Sequence, residues 1–184
     1  MNSIIIGVIS DTHIPDRVPG LNPDLITALK VEKVELILHA GDVCVKRVID
    51  ELETIAPVLA VRGNRDFMIR KCTPMVREIK RMGVKIALMH GHINLITYWF
   101  DKFQYILHGY KRERYLSRLP KVVHGAGVYV FGHTHHPENH WQDGILYFNP
   151  GSVSIGDFPN FQKSWGLLKI YEDGCVENRI LPLD

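Results

Sequence analysis

Residues 3–10 form a continuous apolar run, the pattern of a strand buried on both faces. Leu21, Leu25, Ile26 and Leu29 then recur at helical spacing, which predicts a helix over residues 22–31. Asn22 is placed to cap it, and Pro23 suits its first turn. Residues 34–39 read as a second buried strand. Residues 44–54 read as a second helix, with Val45, Val48, Ile49 and Leu52 on one face. Pro57 opens a third strand at 58–61. This β-α-β-α-β order implies parallel strands, with functional loops at their carboxyl ends.

The second half changes character. Strands are expected at 75–80 and 84–89, joined by a hairpin around Met82-Gly83. Further strands follow at 128–131, 145–148, 165–171 and 175–181, with Asp143-Gly144 and Asp173-Gly174 as hairpin turns. The expected fold is α/β, two mixed sheets packed face to face with helices outside. No linker divides the chain, so residues 1–184 read as one domain. Between them, residues 94–121 stand apart as a helical insertion. Leu95, Tyr98, Trp99, Phe103, Ile106, Leu107 and Tyr110 repeat at helical spacing, and Lys111, Arg112, Arg114, Arg118 and Lys121 follow. Its simplest reading is a packed helix with a solvated basic face. The alternative is an element that faces an anionic substrate or a second subunit.

Composition changes the picture in three places. A net charge of +2 gives no basic surface to hold long nucleic acid or a membrane by charge alone. Cys44, Cys72 and Cys175 lack paired spacing and read as reduced thiols. The first residues lack a basic segment and a cleavage site, so a cytoplasmic location is expected. The 10 histidines form no tract; several sit beside glycine or acidic residues.

Those histidines follow strands. Asp11-Thr12-His13 follows the first apolar run, Gly41-Asp42 the second, and Gly63-Asn64-Arg65-Asp66 the third. His90-Gly91-His92 follows residues 84–89, and Gly132-His133-Thr134-His135 follows Val128–Phe131. Taken singly these are turns, caps or surface histidines. Five strand ends carrying ligand-type side chains read together as one polynuclear metal site. Asp11, His13, Asp42, Asn64, His90, His133 and His135 offer two carboxylates, one amide oxygen and four imidazoles. Two divalent cations suit that set, with Mn²⁺ first and Zn²⁺, Fe²⁺ or Ni²⁺ as alternatives. Thiolates are absent from these motifs, which argues against a structural zinc site. Two such ions and two carboxylates leave net positive charge, even with a hydroxide between the metals. That charge can attract a phosphoryl group, and the hydroxide can attack it.

In order and spacing these motifs resemble the calcineurin-like metallophosphoesterase superfamily, whose pattern is D-x-H, G-D, G-N-H-D/E, a histidine after a strand, and G-H-x-H. Asn149-Pro150-Gly151-Ser152 further resembles a turn of its small single-domain branch, which includes compact phosphodiesterases and a subunit of the retromer complex. The resemblance implies a four-layer α/β/β/α sandwich. It implies a first metal held by Asp11, His13, Asp42 and His135, and a second held by Asp42, Asn64, His90 and His133. Asp42 would bridge. The implied activity is a dinuclear-metal-dependent phosphoesterase, with phosphodiesters or nucleotide-like molecules as substrates.

Arg65 departs from the pattern, since the wider superfamily has histidine there. Arginine cannot protonate a leaving alkoxide, but its fork can grip phosphate oxygens. A salt bridge to Asp66 or another acid is the alternative. His92 is then a candidate proton donor, and Asn64, Arg65 and His92 make up the candidate catalytic set. His39, His136 and His140 read as supporting or surface residues. A non-enzymatic interaction scaffold is the rival expectation, kept alive by the aromatic residues Tyr98, Trp99, Phe100, Phe103 and Tyr105. A homodimer through residues 95–110 is a further expectation.

Overall fold

The computed structural model describes residues 2–92, 99, 103–105, 107–156 and 162–184. Its elements run β1 (Ser3–Ile9), α1 (Pro23–Val31), β2 (Leu36–His39), α2 (Lys46–Leu52), β3 (Val58–Ala60), β4 (Val76–Arg81), β5 (Val84–Met89), α3 (Arg112–Leu116), α4 (Leu119–Val122), β6 (Val128–Val130), β7 (Glu138–Gln142), β8 (Ile145–Asn149), β9 (Lys163–Tyr171) and β10 (Val176–Leu183). They form two five-stranded mixed sheets, ordered β10-β9-β1-β2-β3 and β4-β5-β6-β8-β7. The first keeps β1, β2 and β3 parallel; the second keeps β5, β6 and β8 parallel.

Strand periodicity explains why the apolar runs are continuous. Successive side chains point to opposite faces, and both faces here are covered. Ile6, Val8, Ile86, Leu88, Val128, Val130, Leu146 and Phe148 fill the space between the sheets. Ile9 and Ile37 face the other way, against Leu25 and Leu29 of α1 and Val48 and Leu52 of α2. Ala87, Met89, Tyr129, Phe131 and Tyr147 turn outward onto Leu116 and Leu119 of α3 and α4. Three apolar layers between four structural layers make the α/β/β/α sandwich. Gly7 lets α1 sit close, because a Cβ there would lie 2.8 Å from Leu29 Cδ2.

The Asn22 side chain accepts the Asp24 backbone N–H, and Pro23 opens α1. All three expected hairpin turns join antiparallel pairs, β4–β5, β7–β8 and β9–β10. One strand was not expected. β7 reads Glu-Asn-His-Trp-Gln, with only Glu138 buried, and it lies at a sheet edge. An edge strand with neither face buried against the core needs no apolar alternation, so periodicity gives no sign of it.

The aromatic insertion falls partly outside the described residues: Leu95, Tyr98, Phe100 and Ile106 are among those not covered. Trp99, residues 103–105 and residues 107–108 are helical. No helix among the described residues is long and apolar enough to cross a membrane.

Candidate metal centre

Every motif lies just past the carboxyl end of a parallel strand. The loops after β1, β2 and β3 meet those after β5, β6 and β8 across the joint between the sheets. Local backbone reflects the demand. Asp11, His13, Asp42, His133 and His135 all have φ between 49° and 72°, a region that side-chain-bearing residues seldom adopt. Such strain concentrates where a site over-determines the chain.

The donor atoms converge in two groups. In one, His13 Nε2 lies 3.1 Å from His135 Nε2, and Asp11 Oδ1 lies 3.6 Å and 3.4 Å from them. In the other, Asn64 Oδ1 is 3.1 Å from both His90 Nε2 and His133 Nδ1, with Asp42 Oδ1 3.6 Å from His90 Nε2. Asp42 reaches both groups, since its Oδ2 is 3.8 Å from His13 Nδ1. Metal–nitrogen bonds of about 2.0–2.1 Å at right-angled to tetrahedral geometry put donors ~2.9–3.4 Å apart. The nitrogen–nitrogen and amide separations of 3.1 Å and the 3.4 Å from Asp11 to His135 fall in that range, and the remaining carboxylate contacts, at 3.6–3.8 Å, lie just beyond it.

Chemistry makes the same point. Asp11 Oδ1 is a buried carboxylate oxygen with no hydrogen-bond partner. His90 gives its Nδ1–H to the Ala40 carbonyl at 2.7 Å, and His135 gives its own to the Ile155 carbonyl at 3.2 Å. Each histidine thereby aims Nε2 inward, the orientation that supporting hydrogen bonds impose on ligating imidazoles. Lone pairs packed this closely need a cation or a proton between them. The residues present therefore fit divalent ions.

Several residues that pattern reading left without a role hold these loops. His39 is fully buried. Its Nδ1 accepts the Gly41 N–H at 3.2 Å, so its Nε2 carries the proton and donates to Thr12 Oγ1 at 3.3 Å. Thr12 Oγ1 in turn donates to the Asp42 carbonyl at 3.2 Å. Asp66 is buried and accepts three backbone N–H groups: Asp42 at 3.0 Å, Gly63 at 2.6 Å and Cys44 at 2.6 Å. Ser152 and Ser154 both donate to the Asp11 carbonyl, at 3.0 Å and 2.7 Å. The Asn149 amide donates to the Gly132 carbonyl and Thr134 Oγ1, which gives the Asn-Pro-Gly-Ser turn its task of bracing the histidine loop. Glycine at 63 and 132 is required by space. A Cβ at Gly63 would meet Asp42 Oδ1 at 2.1 Å, and one at Gly132 would meet Ser10 Oγ at 1.9 Å.

The family model of the calcineurin-like phosphoesterase superfamily domain matches residues 4–173. The chain belongs to that superfamily. A probable metallophosphoesterase of Methanothermobacter thermautotrophicus is 36% identical over 152 residues, covering 83% of this chain and 78% of the relative. Among solved structures, Vps29 of Entamoeba histolytica complexed with Zn²⁺ superposes with a TM-score of 0.73 at 25% identity, covering 98% of this chain and 100% of that one. An archaeal phosphodiesterase superposes with a TM-score of 0.65 at 22% identity over 97% of this chain and 100% of that one, which is a likeness of fold.

Seen as a superfamily member, the departure at Arg65 has a definite setting. Its guanidinium pairs with Asp16 at 3.5 Å, both side chains being over a third exposed, while Asp66 is occupied by the backbone. Its backbone N–H donates to Asp42 Oδ1 at 2.7 Å. His92 is buried, with its ring 5.3 Å from that of His90 and 6.1 Å from that of His133.

Where cations fit, protons compete for the same lone pairs. Burial works against charge on His90 and His135. Asp42 and Asp11 around His90, and Asp11 beside His135, outweigh it and raise both above the ordinary histidine value. Burial lowers His13 to about 3 and His92 to about 4, and it lowers His133 well below the ordinary value. Burial raises Asp42 to about 6. A raised pKa means a proton held at higher pH, so an incoming metal must expel it, and affinity falls as pH drops. Titration with Mn²⁺ at pH 6.5 in buffers of different ionisation enthalpy is expected to show proton release. Identical heats in all buffers would contradict this picture of His90 and His135.

Proposed function

We propose that this protein is a metal-dependent phosphodiesterase. The observation that carries the reading is the orphaned Asp11 carboxylate oxygen, facing His13 and His135 beside a second group of lone pairs on Asp42, Asn64 and His90. Asp11, His13, Asp42 and His135 would hold one ion. Asp42, Asn64, His90 and His133 would hold the other, with Asp42 shared. Mixed carboxylate, amide and imidazole donors favour Mn²⁺. Such a pair supplies Lewis acidity at phosphorus and activates water as nucleophile.

The chain's own residues do the rest. Arg65 stands at the exposed rim, tethered by Asp16, and would exchange that carboxylate for a phosphate oxygen on binding. The ring of His92 lies beside those of His90 and His133, where, held neutral by burial, it can orient the leaving group. The three cysteines are free, in keeping with a reducing cytoplasm.

Metal-stripped protein is expected to cleave bis-p-nitrophenyl phosphate when Mn²⁺ is restored, and p-nitrophenyl phosphate less well. Arg65→Ala should raise KM by about tenfold to a hundredfold with kcat little changed, since a single charge-assisted contact is worth about 1.5–3 kcal/mol. Unchanged KM would remove Arg65 from substrate binding.

A second reading is a scaffold that keeps the metals for structure. Trp99, Phe103 and Leu107 are 64%, 59% and 56% exposed on the insertion, the sort of apolar surface a partner covers. Absence of turnover with every divalent metal, despite bound ions, would favour it.

A further inference from the structure

A cavity of about 200 Å³ opens beside the metal centre. Among the described residues its walls are Met75, Val76, Met89 and Val122, with His90 and His92 at one end. Gly91 also lines it, at φ 103°, and offers backbone rather than a side chain. The cavity is thus mostly apolar, and it shares His90 with the group formed by Asn64 and Asp42. A group lying in it would stand next to phosphorus bound at the second ion.

Size limits what the cavity can take. An apolar cavity of roughly 150 Å³ accommodates benzene. The space here admits one six-membered ring with small substituents and is tight for a fused bicycle. Wall chemistry favours an aromatic ring over an alkyl chain. Two thioethers flank the space, and sulfur packs favourably at ring edges. The Met75 thioether is fixed in place, because Arg62 Nε donates to its Sδ at 3.1 Å. The His92 imidazole adds a ring at the metal-facing end, buried at 6% exposure and set against His90.

We propose that this cavity is a subsite for a single six-membered aromatic ring, aryl or pyrimidine, carried on one arm of the phosphodiester. The assignment rests on the phosphodiesterase reading above. It gives His92 a second task, as the wall between ring and metals. It also predicts discrimination by the ester arm rather than by the phosphate.

Methyl-labelled methionines provide a readout independent of turnover. Of the five methionines, Met75 and Met89 line the cavity, while Met68 and Met82 do not. Phenyl phosphate, with or without diamagnetic Zn²⁺, is expected to shift the Met75 and Met89 methyl resonances and spare Met68 and Met82. Methyl phosphate should shift none of them. Uridine 5′-monophosphate in place of phenyl phosphate separates the two ring sources: a shift marks a pyrimidine arm, and silence beside a phenyl response marks an aryl arm. Val122 sits at the mouth, 39% exposed, so Val122→Trp should fill the space. It should abolish the shifts and raise KM for bis-p-nitrophenyl phosphate about tenfold. An unmoved Met82 resonance would report an intact fold. Phenyl phosphate leaving Met75 and Met89 unmoved, or methyl phosphate moving them equally, would overturn the proposal. Failure of the phosphodiesterase reading would look different: no turnover, with the methyl shifts retained.

Discussion

Asp42→Asn is expected to lower kcat/KM for bis-p-nitrophenyl phosphate by on the order of 10³-fold or more, and to reduce the bound metal below two ions per chain. Removing partners that merely orient metal ligands costs 10–100-fold as a rule, and Asp42 is placed to do more. One of its oxygens lies 3.6 Å from His90 Nε2 and the other 3.8 Å from His13 Nδ1, so its two oxygens are divided between the donor groups and bring a full negative charge to the seam. Asparagine keeps the shape and loses the charge. Its amide nitrogen would also present hydrogens to one of the two groups. The Asp42 carboxylate is a costly one to keep, since burial raises it to about 6. Its folded pKa lies above the ordinary value, so in the ion-free protein it weakens the fold as pH rises from about 4 to 6. The variant, with no charge to bury, should therefore be at least as stable as the parent near pH 7 when both are metal-free. Metal analysis, steady-state kinetics and thermal melting under chelator test the three parts together. Retention of two ions with normal turnover would dismiss Asp42 as the bridge.

The second large effect concerns a residue that touches no metal. Asp66→Ala is expected to destabilise the protein by at least about 3 kcal/mol, because three buried N–H groups lose their acceptor at ~1–3 kcal/mol each. For a chain of this size that lowers the melting temperature by roughly 6 °C or more. The three donors are Asp42, Gly63 and Cys44, so one carboxylate ties the second motif to the third. Their release frees Asp42 to move, and metal affinity should fall with stability. Asp66→Asn retains an acceptor oxygen but turns an NH₂ toward one backbone donor, so an intermediate loss is expected. A melting temperature within 2 °C of the parent for Asp66→Ala would show that water or a neighbour replaces the carboxylate, and that the bracing role is wrong.

The two predictions differ in how readable they were. Asp42 follows a glycine after a buried strand, within a series of five such strand ends, and parallel topology alone brings those ends together. Asp66 closes the third motif, where an ion pair with its neighbour Arg65 is one of the readings open to it. Folding gives Arg65 to Asp16 and Asp66 to the backbone, because the Asp66 carboxylate turns into the loop and is covered there.

The same division runs through the molecule. Apolar runs, turn dipeptides and a capped helix are local signals, since each depends on residues within a few positions of one another. They sufficed for nearly every strand, the three hairpins and the layer order, and for the loops that carry chemistry. β7 escaped because an edge strand with one buried residue carries no periodic signal. Bracing of the site escaped for another reason. Ser152 and Ser154 reach the Asp11 carbonyl from 141 and 143 residues away, and Asn64 meets His133 across 69. Short-range pattern carries no information about partners so distant. Which sheets pair, which loops meet, and which buried donors find acceptors were decided only when two apolar faces closed on one another and excluded water from the seam.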